Sequence, residues 1–334
     1  MANVQKYFET FHKEIRMDFE LNKELAEKRD VIFNKIKKSL EENQMPSVSI
    51  LLQGSYIMKT GVKPIEKLEH DIDIGLKFYI DKNKFTAAEV RKWVFEAIKK
   101  HTNNVDEKAS CIRVSYEKGF HVDLVVYAVE KSGSDEIYNL AHKDNGWRPA
   151  DPPKLLKHVE SLNAKYKGTD DPLTSTTQFR RVIRYLKRWD DEAVPYESSS
   201  KPAGLAYTLL CGEYSAGPHK NGTDSNDSSM LYQIAEKVSN LSGRIQIYKP
   251  TPEYEDLFSK LSEAEMIKLK QRFKSLKEAL MEADVEPSER KACKILKEQF
   301  GRDFPVPEKD DEKSILGGFS VRTEKTRIDG SRFA

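Results

Sequence analysis

The chain has 334 residues, 33% of them charged, and 56 Lys and Arg nearly balance 54 Asp and Glu to leave a net charge of +2. That length can bury a sizeable core and suits two domains or one bilobal unit, whereas the near-neutral balance argues against a nucleic-acid coat protein, which would be distinctly basic. Cys111, Cys211 and Cys293 have neither disulfide nor zinc spacing, no run of 18 apolar residues exists, and "MANVQKYFETFHKEIRM" is too charged for a signal peptide, so a soluble cytoplasmic protein is expected.

In chain order, residues 4 to about 44 carry apolar positions at threes and fours (Phe8, Phe11, Ile15, Phe19, Leu21, Leu25, Val31, Ile32 and Ile36), which predicts helix. "PSVSILLQ" (46–53) reads as a strand that turns out at "GSY", and "HDIDIGLKF" (70–78) alternates at strand period. "TAAEVRKWVFEAIKK" opens with a Thr86–Glu89 capping box and carries helical spacing. "CIRVSY" and "FHVDLVVYAV" flank "EKG" (117–119) as a hairpin. From about residue 150 the pattern turns helical. "DPPKLLKHVESLNAKY", "STTQFRRVIRYLKRW" (with a Ser175–Gln178 capping box), "KPAGLAYTLLCGEY", "SEAEMIKLKQRFKSLKEALMEA" and "SERKACKILKEQF" each read as a helix, the last closed by Gly301. The polar stretch 215–230 reads as a mobile loop, and the tail after Pro305 has little periodicity. The order predicts an α+β protein of two lobes, a mixed β-sheet lobe and a helical lobe, with a cleft between them.

Chemistry concentrates in "QGSYIMKTGVKPIEKLEHDIDIG" (53–75). On a strand Asp71 and Asp73 share one face while Ile72 and Ile74 take the other. Asp123 lies in "HVDLVVY" among apolar neighbours. Three carboxylates on adjacent strands repel and lose hydration unless something neutralises them. A pair of divalent cations would do so, and such pairs serve displacement at phosphorus. Gly54 permits close backbone approach, and Ser55 offers a hydroxyl and an amide suited to a phosphate.

Several side chains have plainer readings. The run Arg180, Arg181, Arg184, Lys187 and Arg188 has the composition of a solvated helix face. His70 and His121 read as scaffold residues. The pairs Asp170-Asp171, Asp190-Asp191 and Asp310-Asp311 fall at helix ends or in loops and need no function. Trp93 and Trp189 sit at core spacing, and Tyr56 and Tyr207 suit either the core or a stacked base.

A Gly-Ser turn, a D-x-D strand and a later lone Asp resemble the DNA-polymerase-β-like nucleotidyltransferases. "QGSYIMKTGVKP" leading into "DIDIGLKF", "HVDLVVYA", "GWRPADP" and "RRVIRYLKRW" followed by "SSSKPAGLAYTLL" resemble, more narrowly, the bacterial cGAS/DncV-like nucleotidyltransferases of antiphage signalling. These stretches span roughly residues 46 to 212, and nothing after residue 240 matches a named pattern.

The resemblance implies a bilobal polymerase-β-like fold with a long N-terminal spine helix. Residues 1–150 would be the N-terminal helix and catalytic core, 151–304 a helical lobe and 305–334 an irregular tail. It implies Asp71, Asp73 and Asp123 as metal ligands for two Mg²⁺ (or Mn²⁺). Gln53, Gly54, Ser55, Lys187, Ser199, Ser200 and Lys201 would bind nucleotide, with the serine run ambiguous by a residue. The implied activity is condensation of nucleoside triphosphates (ATP, GTP or pyrimidine nucleotides) into a cyclic di- or trinucleotide for CBASS-type antiphage defence, with release of pyrophosphate. A downstream effector would sense that product. No zinc, membrane or strong nucleic-acid binding is expected, and the protein is expected to be monomeric. A non-cyclising nucleotidyltransferase and an inactive nucleotide-binding regulatory relative stand as alternatives.

Overall fold

The structure is a computed structural model that describes residues 3–309 except 18, 66–69, 118 and 194–200; Ser199, Ser200 and the Asp310-Asp311 pair therefore lie outside the described residues. The N-terminal helical pattern folds as two helices, α1 (Gln5–Ile15) and α2 (Phe19–Glu42). Between them Arg16 is extended and bridges to Val62. The break has a packing reason. Phe8, Phe11 and Ile15 enter a core made of helices, whereas Ile32, Ile36 and Leu40 enter the core beneath the sheet. Two stripes of one continuous period thus face two different cores, and Val31, between them in the pattern, stands 57% exposed.

The sheet comprises β1 (Val48–Leu52), β2 (His70–Phe78), β3 (Asn104–Glu107), β4 (Ile112–Tyr116), β5 (Phe120–Ser132), β6 (Asp135–His142) and β7 (Gly146–Ala150). A one-turn helix, α3 (Gly54–Met58), follows β1, and α4 (Ala87–Ile98) follows β2 with the expected Thr86–Glu89 capping box. The spatial order is β1-β2-β5-β4-β3, with β6 on β5 and β7 on β6. Among the described residues only β2 and β5 run parallel, and every other pair in this sheet is antiparallel. Ile72, Ile74, Leu76 and Phe78 of β2 and Val122, Leu124 and Val126 of β5 line the face that packs on α2 and α4. Strands β3, β6 and β7 carry no strong alternation and escaped the sequence reading. β7 tolerates Pro149 because it is an edge strand, where a missing N–H costs no ladder bond. Buried Arg91 ties α4 to the strands by donating to the carbonyls of Ala141, Lys108 and Cys111 at 3.0, 2.7 and 3.1 Å.

The second core gathers α1 with α5 (Pro152–Ala164), α6 (Gln178–Ala193), α7 (Gly204–Tyr214), α8 (Asp227–Ser239), α9 (Glu263–Val285) and α10 (Glu289–Phe300). Phe8, Phe11, Tyr185, Phe300 and Phe304 form a ring cluster at the α1–α6–α10 junction. Two expectations fail here. Residues 215–230 are not simply a loop: they hold a short ribbon, β8 (Lys220–Asn221) with β9 (Asp224–Ser225), and the first turn of α8. Nor does Ser175 cap α6 through a box with Gln178. Ser175 has φ 51°, and the Gln178 N–H donates to Thr169 Oγ1 at 2.9 Å.

Both departures serve one buried ion pair. Arg181 of α6 and Asp227 of α8, each fully buried, meet through two hydrogen bonds of 2.7 Å, and Asp227 also accepts from Gln178 Nε2 and the Tyr185 hydroxyl. Asp171, which the sequence suggested as idle, is likewise buried and accepts from the backbone N–H groups of Leu173 and Thr174. Asp190 is buried too, and takes Arg272 at 2.8 Å. No helix among the described residues is long and apolar enough to cross a membrane.

Removing one member of a buried pair leaves the other charge stranded. Arg181→Met is therefore expected to lower unfolding free energy by about 3–5 kcal/mol in urea titrations, with Arg181→Met/Asp227→Leu recovering more than half of the loss. Equal destabilisation of the single and double variants would mean the pair is energetically silent.

Candidate active site

β1 delivers its last residues to a sharp turn. Gln53 is extended, and its side-chain oxygen accepts from the Tyr127 hydroxyl of β5 at 3.0 Å. Gly54 then takes φ 70° and opens α3. A Cβ on Gly54 would fall 1.9 Å from Asp73 Oδ2, so the Asp73 carboxylate lies directly against the bare backbone of the turn. Glycine is required here twice, by the left-handed φ and by that contact.

The parallel register sets Asp73 opposite Asp123 and Asp71 opposite His121. Neighbouring strands lie about 4.8 Å apart, so paired carboxylates at 73 and 123 need compensation. Part of it is internal. Arg113 on β4, in register with Asp123, donates from Nε to Oδ1 at 2.8 Å and from its terminal nitrogen to Oδ2 at 2.7 Å. The sequence reading gave the whole neutralising role to metal ions and missed Arg113. The signal was present, because the hairpin that pairs Tyr116 with Phe120 counts back to pair Arg113 with Asp123.

From the other side α6 holds the chain that follows α3. Arg184 donates to the carbonyls of Lys59 and Gly61 at 2.6 and 2.9 Å, Lys187 to the carbonyl and hydroxyl of Thr60 at 3.0 and 3.2 Å, and Arg188 to the Lys63 carbonyl at 2.9 Å. This turn braces Ser55, whose carbonyl accepts from the Thr60 N–H at 3.0 Å. The solvated-face reading of the cationic run thus fails, since Arg181, Arg184 and Arg188 are all buried. Arg184 also reaches His12 Nε2 at 3.0 Å. Because a guanidinium only donates, that nitrogen is an acceptor and the His12 proton sits on Nδ1, toward Thr174 Oγ1 at 3.1 Å. Burial, with Arg184 and Arg181 nearby, pulls His12 down to about 2, so it stays neutral.

Burial, with Arg184 as the next cause, also lowers the Lys187 ammonium to about 8, while Asp191 and Asp73 act in the opposite sense. Lys201 pairs with Asp191, and so is linked to the Lys187 neighbourhood through a shared carboxylate. The structure thus brings Gln53, Gly54, Ser55, Asp73, Asp123 and Lys187 into one region. Asp71 takes its place on β2 by backbone register, its side chain being outside the described set. Tyr207 and Trp189 are core residues, and Tyr56 packs against the sheet core. Among the described side chains no three of His, Cys, Asp or Glu converge as a ready metal cage. Asp73 and Asp123 nonetheless offer hard oxygen donors suited to Mg²⁺ or Mn²⁺, with Asp71 as the third donor of the pattern.

Residues 48–127, which hold the turn, β2, β4 and Asp123, match the family model described as "Cyclic GMP-AMP synthase DncV-like, nucleotidyltransferase domain". Over these residues the chain is similar to a DncV-like nucleotidyltransferase domain. A cyclic GMP-AMP synthase of Escherichia albertii is 23% identical over 239 residues, 69% of this chain and 50% of that protein. The chain thus spans about half the length of this curated relative. The Vibrio cholerae DncV cyclic AMP-GMP synthase, a prokaryotic cGAS homologue, superposes with a TM-score of 0.74 at 14% identity, covering 91% of this chain and 98% of that one. The same enzyme in complex with the linear intermediate 5′ pppA(3′,5′)pG gives a TM-score of 0.73 at 13% identity, with 91% and 96% coverage. At such identities these superpositions establish that the DncV-like domain sits within the same overall α+β fold.

Two outcomes follow for the DncV-like site. Gly54→Ala incurs about 1–2 kcal/mol for a left-handed alanine and must also displace Asp73, so thermal melting should drop and triphosphate binding should weaken together. A variant with unchanged melting and binding would remove the Gly54–Asp73 contact from the site. Lys187 is protonated up to about 8 when folded but up to its ordinary 10.5 when unfolded. The unfolded chain therefore holds more protons between those values, and the penalty for its charge is full below pH 8 and fades toward pH 10.5. Wild-type melting should accordingly gain on Lys187→Met between pH 8 and 10.5; parallel curves would show that its proton is not linked to folding.

Proposed function

We propose that this chain is a nucleotidyltransferase that condenses nucleoside triphosphates into a cyclic di- or trinucleotide with release of pyrophosphate, as a signal in CBASS-type antiphage defence. The observation that carries this reading is the Asp73 carboxylate seated against the Gly54 backbone and in register with Asp123. It joins a phosphate-suited turn to paired carboxylates on one sheet.

On this reading Gly54 and Ser55, with the Lys187 ammonium, bind the β- and γ-phosphates and aim the α-phosphorus at the carboxylates. Gln53 fixes the approach to the turn through Tyr127. Lys201, with Ser199 and Ser200, contributes nucleotide contacts. Asp71 and Asp73 would hold Mg²⁺ or Mn²⁺ with the triphosphate, and Asp123 would serve the attacking 3′- or 2′-hydroxyl. The cations, when bound, supply charge neutralisation and a more acidic hydroxyl. The chain's own contribution is positioning and a fixed electrostatic field, which suits phosphoryl-type chemistry. Residues 1–150 and 151–304 would then be the catalytic and helical units, with α1 lent to the helical side. The Escherichia albertii and Vibrio cholerae relatives, named as synthases of cyclic GMP-AMP and cyclic AMP-GMP, support a cyclic product. A product-sensing effector, a cytoplasmic setting and a monomeric enzyme complete the proposal.

The test incubates purified protein with each labelled triphosphate, singly and mixed, with Mg²⁺ or Mn²⁺, then adds phosphatase. A cyclic product has no terminal phosphate and survives as one species. A ladder would indicate a polymerase, and label transferred to a protein or small acceptor would rule out cyclisation. Asp123→Ala should bind a non-hydrolysable triphosphate with Mg²⁺ at near wild-type affinity by calorimetry, yet turn over at least about a hundredfold slower, ~2.7 kcal/mol of transition-state stabilisation. Near-normal turnover by that variant would remove Asp123 from the reaction.

A further inference from the structure

The contact between Arg113 and Asp123 does more than add an ion pair, provided Asp123 is a metal-binding carboxylate as proposed above. Asp123 stands on β5 between two partners in register, Asp73 on β2 and Arg113 on β4. The guanidinium fork occupies both carboxylate oxygens, at 2.8 and 2.7 Å, and the two side chains are only 22% and 10% exposed. We propose that Arg113 is a built-in counter-ion that neutralises Asp123 in the metal-free protein and is exchanged for the divalent cation when metal and nucleotide bind.

The argument is one of charge and geometry. The bidentate guanidinium takes one lone pair on each oxygen of Asp123 and so competes for the same two donor atoms that a cation at the Asp73–Asp123 pair would need. A doubly charged ion placed on that carboxylate would also lie within a few ångströms of the guanidinium, where repulsion is strong because the pair is shielded from water. Both cannot hold Asp123 fully at once. The bare protein therefore resists metal, and the triphosphate, by bringing its own negative charge, tips the exchange. This makes metal loading depend on nucleotide and keeps Asp123 neutralised while no metal is bound. The rival role for Arg113 is that of an outer partner that stays in place and orients a metal ligand. That role predicts the opposite sign, since loss of such partners weakens metal affinity, typically 10–100-fold.

Titration of the full chain with Mn²⁺ alone, read by electron paramagnetic resonance of the free ion, separates the two. Arg113→Met removes the charge and the fork while keeping bulk, and should bind Mn²⁺ at least about tenfold more tightly than wild type, the scale on which one adjacent charge shifts cation affinity. Its metal-free melting temperature should fall, and its gain on Mn²⁺ addition should exceed that of wild type. Should Arg113→Met not fold, Arg113→Lys, which keeps charge but loses the fork, should still bind Mn²⁺ more tightly than wild type by a smaller factor. Unchanged or weaker Mn²⁺ binding in whichever variant folds overturns the exchange. Asp123→Ala is the control. If it binds Mn²⁺ and turns over like wild type, the reading of Asp123 has failed; if it loses both while Arg113→Met binds Mn²⁺ like wild type, only the exchange has.

Discussion

A row of cations along α6 grips the backbone carbonyls of residues 59–63, and the candidate site depends on that grip. Arg184, Lys187 and Arg188 satisfy four carbonyls that follow α3. In doing so they fasten the helical core to the one turn of the sheet lobe that carries Gly54 and Ser55. Neutral acceptors cannot cancel these charges, so burial lowers Arg184 to about 10 and Lys187 to about 8. The fold tolerates this because acidic groups stand nearby, Asp171 for Arg184 and both Asp191 and Asp73 for Lys187.

Charges of both signs are thus laid out in sequence across the lobe junction. Asp227 and Asp171 neutralise Arg181 deep in the helical core. The α6 cations come next, then the carboxylate of Asp73 against Gly54, then Asp123, and finally Arg113 on the far strand. Each layer is partly compensated by its neighbour. Such a series sets fixed charges of both signs around the Gly54 turn, with the Arg113–Asp123 pair at its far end.

Much of the site was legible because its geometry is local. The strand alternation of "HDIDIG" and the Gly-Ser turn need no partner to be recognised, and β2 and α4 fall where period and capping box put them. What escaped lies across chain separations that periodicity cannot register. Asp227 sits in a polar stretch that looks like a loop, yet it is buried because Arg181, 46 residues away, requires it. Arg184 and Arg188 look like surface charge until the carbonyls of residues 59–63 are brought against them. The α1–α2 break is hidden because both helices share one apolar period while facing different cores.

By itself the sequence determined which residue types could do chemistry and on which strands they ride, since alternation at period two is a property of the backbone alone. It also determined that Gly54 must be glycine-like in freedom, and that carboxylates at 71, 73 and 123 would need counter-charge. Only the tertiary structure decided which counter-charge the protein itself supplies, because Arg113 reaches Asp123 through strand register. The structure likewise decided that Lys187 faces Thr60 instead of water. Helix composition states how many charges a segment bears, but the acceptors that bury them are donated by chain more than a hundred residues distant, and only packing brings the two together.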